Sequence, residues 1–573
     1  MIDLEALERA VGDRPYVSFD IFDTLIMRPY VTPADLFRHM ELLFEEDGFS
    51  EHRIKAERQA RRKHQREITL NEIYEGLDGR YGHLKDKEIE MEISLSMPNA
   101  PMVEVYGYLR KKGKRAVLIS DMYLPEEVIQ KMLERCHIGY DGLYISSVHG
   151  VTKHNGELYD LALEDLRITE DDIFHIGDNR HSDYRVPVGK GIRAFLCERP
   201  IDEYFRSHKE ECRFYSRKKS LQRSMIVSMD MLNGVSDNTW FDMGRRFGGP
   251  LATSYSISVN SKENNRLFLY ASRDGHNLKR ISEELFPENR TGYVYAQRLL
   301  LDVLTDEKLP YGRIDVPNKV SNRYRYEKLS VMMRRILMFF RKELDIIVPD
   351  DDEDVIERYN SLSDRIDTLR KEGLSDYTDY IKGMCQDDDI DLIDCTTMKY
   401  SSQKLMEKVL RRSVKGHYLV TLEENGDYDH DAMCDWHSPA IGWMNIDIPE
   451  FFLCSLEYPL SGWNDGPVFD TSSEDERFRI SVYDDVSDGE LDYAKRFRSI
   501  FGRYMIPFDY WSVVKWSKLS AVRGTAYYDE LKKIRWASDP DHGKYMPLIT
   551  GVGSIRNIVK KLFISVISRI NND

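Results

Sequence analysis

Along the first 200 residues, short apolar runs alternate with stretches of helical period. YVSFDI (16–21) reads as a buried strand that ends in a carboxylate. From Thr32 to about Asn99 the period becomes helical and charged: in ADLFRHMELLF, residues Leu36, Phe37, Met40, Leu43 and Phe44 share one face. RAVLIS (115–120), DGLYISS (141–147), DIFHIG (172–177) and GIRAFL (191–196) read as further strands. Helices are predicted from near Pro125, over about Gly156–Leu166 and near His181. Strands alternating with helices of this length predict a parallel α/β sheet, with the helical block 32–99 inserted after the first strand.

Beyond residue 200 the basic stretch RSHKEECRFYSRKKSLQR reads as a connector or surface helix. A second α/β unit follows. NRLFLYA (265–271), GYVYAQ (292–297), DIDLIDC (389–395) and GHYLVTL (416–422) are its predicted strands, and 300–390 is mostly of helical period. Residues 423–550 are rich in aromatic and acidic residues and give no clear period. A chain of 573 residues can bury several cores, which suggests three or four domains.

Charge and cysteine content narrow the class. A net charge of −16 argues against a general nucleic-acid binder. Seven cysteines without a C-x-x-C pair argue against a disulfide framework or zinc knuckle and for a reducing, cytoplasmic setting. The opening MIDLEALERAVGDR lacks a signal-peptide pattern, and no run of about 18 apolar residues is present to span a membrane.

Four segments carry candidate chemistry: FDIFDT (19–24), LISDMY (118–123), TKHNGELYD (152–160) and HIGDNRHSD (175–183). Ligands of parallel sheets bind at the carboxyl ends of strands, where Asp20, Ser120 and Asp178 fall, with Lys153 in the loop after the third strand. A carboxylate can attack phosphorus and split one hard displacement into two. One or two further carboxylates suit Mg²⁺, and a hydroxyl with a lysine suits the phosphoryl oxygens.

The order and spacing of these motifs resemble the haloacid dehalogenase (HAD) superfamily. The resemblance implies a HAD-like Rossmannoid α/β fold with Asp20 as nucleophile, Ser120 and Lys153 on the phosphoryl group, and Asp178 with Asp183 as the acidic pair. It implies Mg²⁺ held by Asp20, Asp178 and a backbone carbonyl near Phe22, with Asp183 supporting. It also implies a core (1–30 and 105–200) with a helical cap (31–104), while the residue pattern divides the rest into connector helices (201–262), a second α/β domain (263–550) and a C-terminal basic amphipathic helix (551–573). The wording FDIFDTLI with SDMYLP is similar to predicted HAD hydrolases associated with bacterial capsular or surface polysaccharide synthesis. The sequence departs from the phosphatase pattern at Phe22, where an acid usually protonates the leaving group. Asp23 is the nearest substitute if the local turn redirects its side chain, and Thr24 suits capping that turn.

In the second half, SRDGHN (272–277) and DCTTMKYSSQ (394–403) follow the clearest strands. Arg273, Asp274, Asp394, Lys399 and Gln403 therefore form a candidate second site, the alternative being strand-end turns. Trp436, Trp443, Trp463 and Tyr458 are candidates either for stacking on sugar rings or for the core. In SIRNIVKKLFISVISRI (554–570), Ile555, Ile558, Val559, Leu562, Phe563, Val566, Ile567 and Ile570 share one helical face opposite Arg556, Lys560 and Lys561. Such a helix suits either an anionic membrane surface or docking on its own domain, and RRILMFFRKEL (334–344) is similar but less regular.

The leading expectation is a cytoplasmic Mg²⁺-dependent hydrolase or phosphotransferase. Its expected substrate is a phosphorylated small molecule or glycan precursor, a sugar or polyol phosphate being the example, and residues 554–570 are a candidate peripheral membrane contact. Two alternatives stay open: a phosphate- or glycan-binding scaffold whose second domain carries the activity or a partner surface, and metal-free dehalogenase-like hydrolysis.

Overall fold

The computed structural model describes residues 3–64, 66–260, 265–386, 388–397, 399–422, 427–435, 447–536 and 545–549. The chain divides into two compact units: Met1–Gly234 with Ser499–Met505, and Val235–Arg498 with Ile506–Asp573. The stretch 201–262, read from sequence as connector helices, is divided between them at Gly234.

The first unit contains five parallel strands: β1 (Tyr16–Phe19), β2 (Arg115–Ser120), β3 (Gly142–Ile145), β4 (Ile173–Gly177) and β5 (Arg193–Leu196). They lie in the order β3-β2-β1-β4-β5. Strands β1 and β4 are buried along their whole length, which is why they read as mostly apolar runs, interrupted by Ser18 and His175, rather than as alternating ones. Successive residues feed opposite faces. Val17, Phe19, Leu118 and Ile176 join one core, while Tyr16, Val117, Ile119 and Ile173 join the other. This is a doubly wound α/β sheet.

The insertion between β1 and β2 holds helices Asp35–Leu43, Phe49–Lys63, Leu70–Glu75 and Leu84–Leu95. Its neck is an antiparallel pair of two-residue strands, Ile26↔Pro98 and Met27↔Met97. Asn99 latches the exit: its N–H donates to Leu25 O at 2.9 Å and its amide to Thr24 O at 2.7 Å. Inside the insertion, Arg53 is fully buried and donates to Glu88 through Nε (2.9 Å) and Nη2 (2.6 Å). This forked geometry satisfies a charge that burial alone would make costly.

The second unit has a separate parallel sheet: β6 (Leu267–Ala271), β7 (Arg290–Val294), β8 (Ile390–Thr397), β9 (Lys415–Thr421) and β10 (His430–Cys434). Its order is β10-β9-β8-β6-β7, which places the reversal of connection between β6 and β8. The stretch 423–550 contains, among its described residues, β10 and a long helix, Glu474–Phe501. In the RRILMFFRKEL stretch, Ile336, Leu337, Phe339, Phe340 and Leu344 are buried in the core of this unit. That accounts for its apolar face. Residues 554–570, Trp436 and Trp443 lie outside the described residues.

Candidate active site

Asp20 and Asp178 are the residues immediately after β1 and β4, the two adjacent strands at which the sheet reverses its winding. That is where an open α/β sheet leaves a crevice. Asp20 is held in register by its N–H, which donates to Ile176 O at 2.9 Å. Asp183 arrives from the π-type turn Arg180–Arg185, whose start is capped by Asn179 accepting from His181 and Ser182 N–H. The Asn179 N–H in turn donates to Asp183 Oδ2 at 2.9 Å. Gly177 makes this approach feasible, because a Cβ there would lie 2.5 Å from Asp183 Cγ. One carboxylate oxygen each from Asp20, Asp178 and Asp183 lies within 4.8 Å of the others.

Lys153 sits among these acids, buried. Its Nζ donates to Asp20 Oδ1 at 2.6 Å and to Asp183 Oδ1 at 2.5 Å. The loop that carries it is fixed by Asp121, which accepts from Lys153 N–H at 2.7 Å and His154 N–H at 3.2 Å. Behind Asp183 stands His175, fully buried, with Nε2 3.3 Å from Asp183 Oδ1 and Nδ1 2.8 Å from Ser18 Oγ. Burial pushes the imidazole pKa down despite Asp183, so a neutral ring donating to Asp183 and accepting from Ser18 fits both contacts. Thr24 Oγ1 donates to Asp178 Oδ1 at 3.2 Å, so it bonds a site carboxylate rather than the turn. Ser120 ends β2 and is buried.

Burial and its acidic neighbours hold Asp20 well above the ordinary carboxylate range, although Lys153 opposes them. Burial, with Asp23 and Asp183 adding to it, raises Asp178 to about 6. Asp183 is the exception: burial is outweighed by Lys153 and His175, which hold it below the usual range. Burial also works against the Lys153 charge, but Asp183 and Asp20 keep the ammonium well above the usual lysine range. Three acids share one lysine, so the cluster favours a further cation. Its hard oxygen donors fit Mg²⁺.

Asp23 occupies the left-handed region (φ 58°), and its N–H donates to Ile26 O at 2.8 Å. Its carboxylate is partly exposed, 4.0 Å from Arg199 Nη1. Phe22 lies under Arg28, whose guanidinium carbon is 4.6 Å from the ring centre. Arg28 is itself gripped by Glu92 through Nε (2.6 Å) and Nη2 (2.9 Å). A cavity of about 370 Å³ lies between this loop and the inserted helices, lined among others by Phe22, Asp23, Arg28, Phe37, Arg58 and Tyr123.

The candidate residues of the second unit fall apart in role. Arg273 and Asp274 follow β6 and Asp394 lies in β8, at the reversal of that sheet. Arg273, with its side chain 9% exposed, is paired with Glu476 at 3.1 Å. Burial and Asp394 raise Asp274 to about 7. Asp394 accepts from Cys395 N–H and Ser402 Oγ, each at 2.8 Å. Lys399 is exposed. Gln403 donates to Val414 O (2.7 Å) and Asp429 O (2.9 Å) and accepts from Tyr418 OH (2.9 Å), so its polar atoms are all used inside the fold. Trp463 is a core residue packed on Tyr377 and Tyr380, with ring centres 5.0 Å away in both cases.

Sequence reasoning gave no site role to Asp121, Ser18, Arg28, Glu92 and His175. Asp121 directly follows Ser120 and His175 shares a motif with Asp178, so both had a local signal. The pairing of Arg28 with Glu92 had none, because it closes across the whole insertion.

No family model and no curated protein matches the chain. Among solved structures it is similar to an L-2-haloacid dehalogenase at 15% identity, covering 33% of this chain and 85% of that one with a TM-score of 0.26. A HAD-family enzyme from Bacteroides thetaiotaomicron is similar at 16% identity, covering 33% and 95%, TM-score 0.26. The L-2-haloacid dehalogenase of Xanthobacter autotrophicus is similar at 13% identity, covering 34% and 82%, TM-score 0.25.

Proposed function

We propose that the first unit is a Mg²⁺-dependent phosphohydrolase or phosphotransferase acting through an aspartyl-phosphate at Asp20. The observation that carries the reading is the convergence of Asp20, Asp178 and Asp183 within 4.8 Å around a buried Lys153 at the switch point of the sheet. Asp20, Asp178 and the Phe22 carbonyl would hold Mg²⁺, with Asp183 supporting. The ion, when bound, would neutralise phosphoryl charge.

Asp20 Oδ would attack phosphorus while the bond from phosphorus to the ester oxygen breaks, and the leaving oxygen takes a proton. Water or an acceptor hydroxyl then attacks the same phosphorus, which frees Asp20 and releases phosphate or a new ester. Lys153 and Ser120 would bind the phosphoryl oxygens. With Phe22 at the usual acid position, Asp23 is the proton donor: it lines the cavity beside Phe22, and its left-handed backbone turns it from the direction a regular strand would give. The substrate is a small phosphorylated metabolite, a sugar or polyol phosphate of surface-glycan assembly being the class favoured by the motif wording. It would enter the cavity under the inserted helices.

A second reading is supported by Phe22 itself, which is fixed under Arg28 and carries no acid. In it the site binds phosphate without turning it over, and the second unit carries the activity or a partner surface. Purified protein with Mg²⁺ and a panel of sugar phosphates separates the two. Turnover abolished by Asp20→Asn supports the first; Mg²⁺-dependent phosphate binding without turnover supports the second. Activity that survives chelation points instead to metal-free hydrolysis.

A further inference from the structure

Helix Arg323–Phe339 of the second unit buries Tyr326, Ser330, Met333, Ile336 and Leu337. Its opposite side is not the polar face such a helix normally presents. Tyr324, Val331 and Met338, spaced seven residues apart, are 77%, 48% and 44% exposed. Positions seven apart drift by only about 20° around a helix, so the three form one outward stripe. Lys328, four residues after Tyr324, falls on the same side and Arg325 flanks it, whereas Arg335 is paired with the buried Asp302 at 2.9 Å. Val320 before the helix and Ile347 after it are 96% and 92% exposed.

The charge around this stripe is the reverse of the chain's. Lys319–Lys342 holds eight lysines and arginines against one acid, Glu327, within a protein of net charge −16. Glu327 is taken up by Arg323 at 2.7 Å, and Arg334 and Arg335 are paired with Asp352 (3.2 Å) and Asp302 (2.9 Å) from outside this segment. Arg325, Lys328, Arg341 and Lys342 are exposed. The neighbouring acidic helix, Asp352–Ser361, meets the buried side, where Tyr326 and Glu353 line one groove. Isolated exposed apolar residues are ordinary, but an apolar row interleaved with surplus cations is a specific combination.

We propose that this outer face of helix Arg323–Phe339 docks on an anionic lipid surface. The aromatic and aliphatic side chains would enter the interfacial layer, and the lysines and arginines would meet lipid phosphates. The charge complementarity favours this occupant over a second copy, because an isologous pairing would set the cations against each other.

The test is co-sedimentation of the full chain with vesicles of phosphatidylcholine alone or with about 30% phosphatidylglycerol, at low and high salt. The expected result is pelleting with the anionic vesicles only, weakened by salt. Two variants, Arg325→Glu with Lys328→Glu, and Tyr324→Ser with Val331→Ser and Met338→Ser, should each lower binding by about tenfold or more with an unchanged thermal melt. Absence of an anionic preference overturns the proposal. So does equal binding by both variants, the outcome if residues 554–570 alone make the contact. A change in the mass of the particle on gel filtration, without a change in vesicle binding, marks the stripe as an interface between proteins and also overturns it.

Discussion

Replacing Lys153 by methionine removes the one cation from a buried cluster of three carboxylates. The wild-type ammonium is 3% exposed and touches Asp20 and Asp183, which are 10% and 1% exposed, at 2.6 and 2.5 Å. Removing one partner of a buried ion pair typically costs about 3–5 kcal/mol, because the remaining charge is stranded. The penalty should depend on pH with a defined sign. In the wild type, Asp183 is held below its ordinary value, so its contribution is present above the unfolded pKa and lost only as pH falls through the folded one. Without Lys153, burial dominates and Asp183 joins Asp20 above the ordinary range. A raised carboxyl stabilises below the unfolded pKa and loses that contribution as pH rises. The variant should therefore lose about 3–5 kcal/mol at pH 7, recover much of it by pH 5, and recover part of it at pH 7 on adding Mg²⁺. Hydrogen exchange of peptides from residues 1–234 in chelator reads this directly. All seven tryptophans lie in the second unit, so tryptophan emission during urea unfolding serves as an internal control. A penalty below about 1 kcal/mol, or one equal at pH 5 and pH 7, would refute the charge-compensation reasoning.

Gly177→Ala should weaken Mg²⁺ binding at least tenfold in calorimetry and cost about 1–3 kcal/mol, because the added carbon meets the Asp183 side chain; unchanged binding would show that the cluster is not the metal site. Asp23→Gly should relieve a positive φ and stabilise the protein by about 1 kcal/mol in thermal melts. The same change should slow hydrolysis of alkyl phosphates by about 10²–10⁴ and of p-nitrophenyl phosphate far less, since only the poor leaving group needs the proton. Equal slowing of both would remove Asp23 from the acid role. In metal-free protein, Asp178 titrates near 6, so its stabilising contribution is full below the unfolded carboxylate pKa and fades as pH rises through 6. Melting curves between pH 4 and pH 8 should decline with pH in chelator and flatten with Mg²⁺.

The sequence made the first sheet legible because its central strands are buried on both faces and read as mostly apolar runs followed by acids. Asp20, Lys153 and Asp178 are legible for that reason, each at a strand end or in the loop after one, whereas Asp183 is read through the resemblance of HIGDNRHSD to an acidic pair. What escaped was whatever closes over distance. The Arg28–Glu92 fork spans the insertion, and the Ser18–His175–Asp183 chain joins a β1 residue to a β4 residue whose side chains had no shared local pattern. In the second half, Gln403 carries the right atoms for a site, yet spends them all on the main chain and Tyr418. The amphipathic stretch 334–344 was equally ambiguous, because helical period reports an apolar face without reporting what covers it. There the regular face packs inward, and the unusual residues lie on the other side.

The central claim is that Asp20 carries a phosphoryl group during turnover. The direct measurement is phosphate release from a panel of sugar phosphates and p-nitrophenyl phosphate, with Mg²⁺ or chelator, by the wild type and Asp20→Asn. Phosphate release that requires Mg²⁺ and disappears in Asp20→Asn is the result expected here. Release that survives in Asp20→Asn, or no release from any ester while phosphate still binds with Mg²⁺, would contradict it.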